Sequence, residues 1–302
     1  MMKFLMKKVA TAAMATAAML AMSGGSALAA PTFTINPNAI PGNVFAINPF
    51  VGTVFGGTSS ELLHLTSATQ NSGFGWVQLT TVSNGATAIG PLVSGLNTDY
   101  GLYLKFDLAA TLTGGANGLP GSSYTLNSLN FSVWADPGYG LPNATTFTAA
   151  SSAGAGTEAT VGGVTIDDIF LAAGSIVPGQ GTAFITTLGG AAVNAINTFA
   201  VCTGVGTASL GGIPVALAGC AGNTGTNYFS LPNPFYSLAL SGFNNASGGV
   251  TKNGNLVAVN DAVAAITFNK VPEPGSMALL GIALAGLGIS SRRNKNKAAN
   301  AA

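Results

Sequence analysis

A single histidine, two cysteines and nine acidic residues are the main reactive groups of this 302-residue chain. A Ser-His-Asp hydrolase would have to use His64. That residue lies in Glu61-Leu62-Leu63-His64-Leu65, an apolar strand-like run, and no serine stands in a Gly-x-Ser-x-Gly elbow. His64 therefore reads as structural. A glycosidase needs two carboxylates roughly 5–10 Å apart on a groove. Asp167 and Asp168 are adjacent, and neighbours on a strand face opposite ways, so they make a poor dyad. Neither a glycine-rich phosphate loop followed by lysine nor an EF-hand calcium loop is present. Cys202 and Cys220 make an even pair in a segment that reads as exported, which favours a disulfide. Two thiolates with one remote histidine do not complete a zinc shell. The expectation is no enzyme, no cofactor and no metal.

Aromatic residues are the better candidates for recognition. Tyr228, Phe229, Phe235 and Tyr236 surround Pro232 and Pro234, which fix the backbone. Trp134 and Tyr139 flank a strand end at Asp136-Pro137-Gly138. If exposed, Trp134, Tyr139, Tyr228 and Tyr236 offer amphipathic faces for stacking on sugar rings. The alternative is that these rings plug the ends of a core.

The elements that must carry these residues read as strands. Leu102, Leu104, Phe106 and Leu108 alternate with Tyr103, Lys105, Asp107 and Ala109, and Leu129, Phe131, Val133 and Ala135 alternate with Asn130, Ser132, Trp134 and Asp136. Glycine-rich turns between the two runs predict an antiparallel pair. Further strands are expected at 76–82, 183–188, 235–240 and 256–268, with a short helix at 191–199. Short strands with one apolar face predict an all-β body over residues 30–270, an antiparallel β-sandwich or jelly-roll-like fold. Too few segments reach ten residues for an outer-membrane barrel.

Charge is concentrated at the ends. Lys3, Lys7 and Lys8 open the chain, and Arg292, Arg293, Lys295 and Lys297 close it, whereas the body between has three lysines and eight acids. Such a body does not suit nucleic acid, which needs clustered Lys and Arg. Residues 1–29 read as a secretory signal peptide: a basic start, an apolar Ala/Met stretch, and Ala27-Leu28-Ala29 as the cleavage site. At 271–297, Pro272-Glu273-Pro274 precedes an uncharged run over 275–291 and then the basic cluster. The run predicts a transmembrane helix of roughly 25 Å with its basic end in the cytoplasm and the body outside the inner membrane. Residues 298–302 are expected to be a disordered tail.

This C-terminal arrangement resembles the PEP-CTERM sorting signal, on the strength of Pro272, Glu273, Pro274, the short Leu/Ala/Gly span, and Arg292 and Arg293. The resemblance implies recognition by exosortase, a membrane cysteine protease that removes the tail and releases the body toward the cell surface or extracellular matrix. The body in turn looks like the flocculation-associated PEP-CTERM protein family. Carrying that likeness are Phe33-Thr34-Ile35-Asn36-Pro37, Asp99-Tyr100-Gly101-Leu102-Tyr103, Trp134-Ala135-Asp136-Pro137, the cysteine pair, and Phe229 through Tyr236 with its Asn-Pro-Phe-Tyr segment. It implies a role in bacterial aggregation within an exopolysaccharide matrix, with no catalytic residues to carry over. The alternatives are a carbohydrate-binding module that recognises the exopolysaccharide and a secreted glycan-acting enzyme.

Overall fold

The computed structural model describes residues 31–42, 47–137, 144–163, 165–220, 227–245 and 249–269. The expected signal peptide, transmembrane helix and C-terminal tail lie outside these residues. Among the described residues no helix is long and apolar enough to cross a membrane. In chain order, β1 (Phe33–Ile35) and β2 (Phe50–Gly52) precede the long β3 (Val54–Leu65) and β4 (Gln70–Asn84). A short β5 (Thr87–Ile89) and one helical turn, α1 (Pro91–Ser94), lead into β6 (Gly101–Gly114) and β7 (Ser123–Asp136). β8 (Thr145–Thr148) and β9 (Thr160–Gly163) form a hairpin before β10 (Ile169–Ile185) and β11 (Ala191–Thr198). β12 (Ala200–Gly204), β13 (Thr207–Leu210) and β14 (Ile213–Ala216) form a meander. β15 (Phe229–Leu231), β16 (Leu238–Asn245), β17 (Val250–Asn253) and β18 (Leu256–Asn269) complete the described chain.

Eight of these strands form a closed antiparallel barrel in the order β11, β16, β18, β3, β4, β6, β7, β10, because β10 pairs back onto β11. The all-β expectation holds, but the sandwich or jelly roll is replaced by this ring. Period-two alternation is common to both architectures, so it cannot choose between them. The choice is made by distant pairings such as that of β3 with β18, which sets Ser60 beside Asn260, 200 residues away in sequence. The expected helix at 191–199 is strand β11. Val193 and Ala195 face inward while Asn194 is exposed, an alternation that its alanines disguise as helix propensity.

Alternation in β6 and β7 runs as the sequence predicts, with Leu102, Leu104, Phe106, Leu108, Leu129 and Val133 buried and Lys105 and Asn130 exposed. Six barrel strands span 12 to 17 residues, longer than the sequence suggested. Their inward face is nevertheless mostly apolar and, apart from Glu61, their charged side chains point outward, the reverse of a lipid-embedded barrel. Eight strands enclose a space that side chains just fill. What remains are internal cavities of about 30 and 40 Å³, enough for a few water molecules.

One end of the barrel is closed by aromatic rings. The small sheet β15-β1-β2 supplies Phe33, Phe50 and Phe229, all buried. The Phe268 ring lies 4.7 Å from Phe199, 5.1 Å from Phe33, 5.2 Å from Phe235 and 5.9 Å from Phe229, centroid to centroid. Most of these pairs are edge-on or tilted, the arrangement that ring quadrupoles favour. The Tyr236 hydroxyl donates to the Thr32 carbonyl oxygen at 2.7 Å, and Ser230 Oγ donates to Thr34 O at 3.1 Å, so segment 228–236 straps β1 in place. Outside the barrel, the β12–β14 meander extends from β10, and Cys202 and Cys220 form a disulfide with Cα atoms 5.5 Å apart.

Because Phe268 is shared by so many rings, Phe268→Ala should remove about 3–5 kcal/mol of stability in urea denaturation; a loss below about 1 kcal/mol would mean the end cluster does not hold the barrel closed. Removing the disulfide with Cys202→Ser and Cys220→Ser frees an 18-residue loop, and the chain-entropy estimate puts the loss near 3 kcal/mol. That loss should disappear when both proteins are compared under reducing conditions.

Candidate functional site

Of the four candidate sugar-stacking residues, the three that are described, Trp134, Tyr228 and Tyr236, do not share one surface. Tyr228 is fully buried and its hydroxyl lies 3.2 Å from that of Tyr100, inside the end cluster. Tyr236 is 8% exposed, with its hydroxyl committed to Thr32. Neither presents a ring face to solvent, so both are corrected from glycan contacts to parts of the plug. Trp134 is half-buried on the outer wall, edge-on to Phe170 at 5.0 Å, with the Lys105 ammonium 4.8 Å from its ring centroid. Its indole N–H donates to Ser132 Oγ at 2.9 Å. It packs with the disulfide in a satellite core that includes Phe170 and Ala208. Tyr139 lies outside the described residues, as do Ala27, Ala29, Pro272, Glu273, Pro274, Arg292 and Arg293.

His64 sits on the outer surface of β3 and pairs with Glu158 at 2.7 Å, both side chains about two-fifths exposed. An exposed pair of this kind contributes little to stability. Asp136 and Asp168 do come together, bridged by Thr145. The Thr145 backbone N–H donates to Asp136 Oδ2 at 2.9 Å and its hydroxyl donates to Asp168 Oδ1 at 3.2 Å. The Tyr103 hydroxyl donates to Asp168 Oδ2 at 2.5 Å. Burial pushes the Asp168 carboxyl up to about 6; the Asp136 and Asp167 charges add to the shift, while the hydrogen bonds from Tyr103 and Thr145 oppose it. The space beside Tyr103, Asp136, Thr145 and Phe147 is too small for water. These carboxyls anchor the β8–β9 hairpin: Phe147 sits 5.0 Å from Trp76 and 5.7 Å from Tyr103, and Trp76 Nε1 donates to Thr148 O at 2.9 Å. Among the described residues no group of three or more His, Cys, Asp or Glu is placed to hold a metal ion.

Two features escaped the sequence reading. The first is Glu61, whose side chain points into the barrel. It lines the 40 Å³ cavity with Asn71, Leu108, Tyr124 and Leu126, and it is 8% exposed. Burial alone pushes its carboxyl up to about 7. The signal was available, because Ser59, Glu61 and Leu63 share one face of β3, but the run Leu62-Leu63 on either side of that face blurred the alternation. The second is an open groove of about 430 Å³ on the outer wall. It lies over β11, β16 and β18, beside a local excursion of β10. No linear motif marks it, because its walls come from four strands.

Glu61 makes stability depend on pH. Its folded value, near 7, lies above the ordinary 4.5, so the folded state holds the proton more tightly. The contribution is fully present below about pH 4.5, is lost as pH rises through 7, and amounts at most to roughly 3 kcal/mol. Asp168 acts with the same sign at lower pH. Glu61→Gln should therefore match the wild type at pH 4 and exceed its stability at pH 8, by urea denaturation at both values. Equal stability at pH 8 would show that the carboxyl is solvated rather than buried.

Residues 270–293 match the model of the PEP-CTERM protein-sorting motif. No curated protein and no solved structure matches the chain. The family match covers the C-terminal tag and none of the barrel strands. The chain carries a PEP-CTERM sorting signal, the mark of an exported protein that exosortase processes.

Proposed function

We propose that this chain is a non-catalytic matrix protein. Exosortase cuts it beside Pro272–Pro274, and the released barrel remains at the cell surface or in the exopolysaccharide, where it promotes aggregation of cells into flocs. The observation that carries the reading is the junction between barrel and tag. Strand β18 ends at Asn269 and the sorting motif begins at residue 270. Four residues from Asn269 to Glu273 reach at most about 14 Å, so a cut beside Glu273 falls within that distance of the end of β18. Phe33, the first residue of β1, packs on Phe268 at 5.1 Å, and the signal-peptide cleavage site is expected only four residues upstream of it. Both processing points therefore join the folded body at its plugged end. Trimming there removes the membrane-directed tags without opening the core.

The body also suits a crowded polymer matrix. With three lysines against eight acids over residues 30–270, neighbouring copies repel one another weakly, and abundant Ser, Thr and Asn supply hydrogen-bonding groups or attachment points for glycans.

Deleting the coding sequence should abolish or sharply slow settling of the culture while secreted polysaccharide is unchanged; flocs of normal size would contradict the matrix role. Processing has a separate readout. Glu273→Ala, or loss of Arg292 and Arg293, should leave full-length protein in the inner-membrane fraction, and normal release of either variant would refute exosortase sorting.

A further inference from the structure

We propose that the open groove over β11, β16 and β18 is a binding site for an uncharged glycan chain; this rests on the matrix reading and gives it a molecular contact. The groove exists because β10 leaves the barrel wall. Between Ile176, opposite Asn197, and Gly181, opposite Ala195, β10 spends four residues where β11 spends one. Two glycines make the detour possible. Gly179 turns with φ +76°, and a Cβ on Gly181 would stand 2.2 Å from Ile176 Cδ1. The excursion raises Gln180 as one wall above the neighbouring strands.

The floor follows from strand register. Asn194, Gly242 and Ala265 lie side by side across β11, β16 and β18, and Ile196, Leu240 and Thr267 form the next row. The volume of about 430 Å³ falls within the ~300–1,000 Å³ of small-ligand sites. Gln180, Thr182, Asn194 and Thr267 bring amides and hydroxyls to the groove, and none of these side chains hydrogen-bonds to a described residue. Ile196 and Leu240 give apolar patches between them. Alternating hydroxyl and C–H surface is what a sugar ring presents, and side-chain amides can pair with adjacent hydroxyls as donor and acceptor together.

Charge and topology narrow the occupant further. Neither acidic nor basic side chains line the groove, so an anionic polysaccharide would lose hydration there without gaining a counter-charge. A peptide adding as a strand needs a free edge, and the strands under the groove are paired on both sides. Aromatic rings are absent from the lining, so binding at one site rests on hydrogen bonds and C–H contacts.

Affinity electrophoresis of the mature body tests this in gels holding the neutral or the anionic fraction of the polysaccharide secreted by the producing cells. Wild type should be retarded by the neutral fraction and not by the anionic one. Asn194→Ala should weaken retardation about fivefold, as loss of roughly one hydrogen bond predicts. Gly242→Leu should weaken it at least as much by filling the floor. A Cβ at 242 meets Asn194 Oδ1 at 3.5 Å and the Val193 carbonyl oxygen at 4.0 Å, both ordinary contacts, so the barrel tolerates it, and an unchanged melting temperature confirms folding. Equal retardation of wild type and both variants, retardation only by the anionic fraction, or none by either fraction would overturn the groove assignment. Retention of wild type in the washed matrix is scored separately. If it persists while the groove fails, the matrix role stands without this contact; if wild type washes out, that role fails.

Discussion

Closure of the ring is the constraint on which the rest of this structure depends. Once β10 pairs with both β7 and β11, no central strand is left with an open edge, and every inward side chain must fill a fixed volume. Phe106, Leu104, Leu129 and Val133 meet that demand in the middle of the barrel. At one end the aromatic cluster around Phe199 and Phe268 completes the filling. The opposite demand, that the wall remain continuous, explains the glycines in β3 and β4. A Cβ on Gly75 would stand 2.5 Å from the Phe106 ring and 2.8 Å from Glu61 Cβ. Larger residues at such positions would push the inner layer apart.

Much of this was legible in the residues and some was not. Alternation in 101–109 and 129–136 gave strands, facing and antiparallel pairing, because local period and side-chain direction are set by the chain itself. Closure was not legible, since it depends on pairings such as Ser60 with Asn260. Alanine-rich β11 misled for a related reason: its helix propensity is a local quantity overridden by hydrogen bonds to two neighbouring strands. The aromatic segment 228–236 stood out in the sequence, but its role depended on burial. Tyr228 and Tyr236 belong to the plug, and among the described candidate rings no common stacking platform forms with Trp134. The outer groove left no linear trace. Its residues are individually ordinary and meaningful only side by side.

Function divides along the same line. The address is written in consecutive residues, so sequence alone reads it, and residues 270–293 match the sorting motif. What the delivered body does is written in its surface. The wall that carries charge does so sparsely, Trp134 is shielded by Phe170 and Lys105, and the carboxyls of Asp136 and Asp168 are occupied in holding a hairpin. Under the proposed processing, a barrel plugged around Phe33 and Phe268 would lose both tags and keep its fold. That economy fits cargo built to persist outside the cell.

Whether the barrel reaches the matrix in trimmed form is decided by mass spectrometry of the protein extracted from the washed extracellular matrix. The account predicts a single chain starting at residue 30 and ending within a few residues of Glu273, with Cys202 and Cys220 still joined. A chain that retains residues 275–302, or one found only inside the cell, would contradict it.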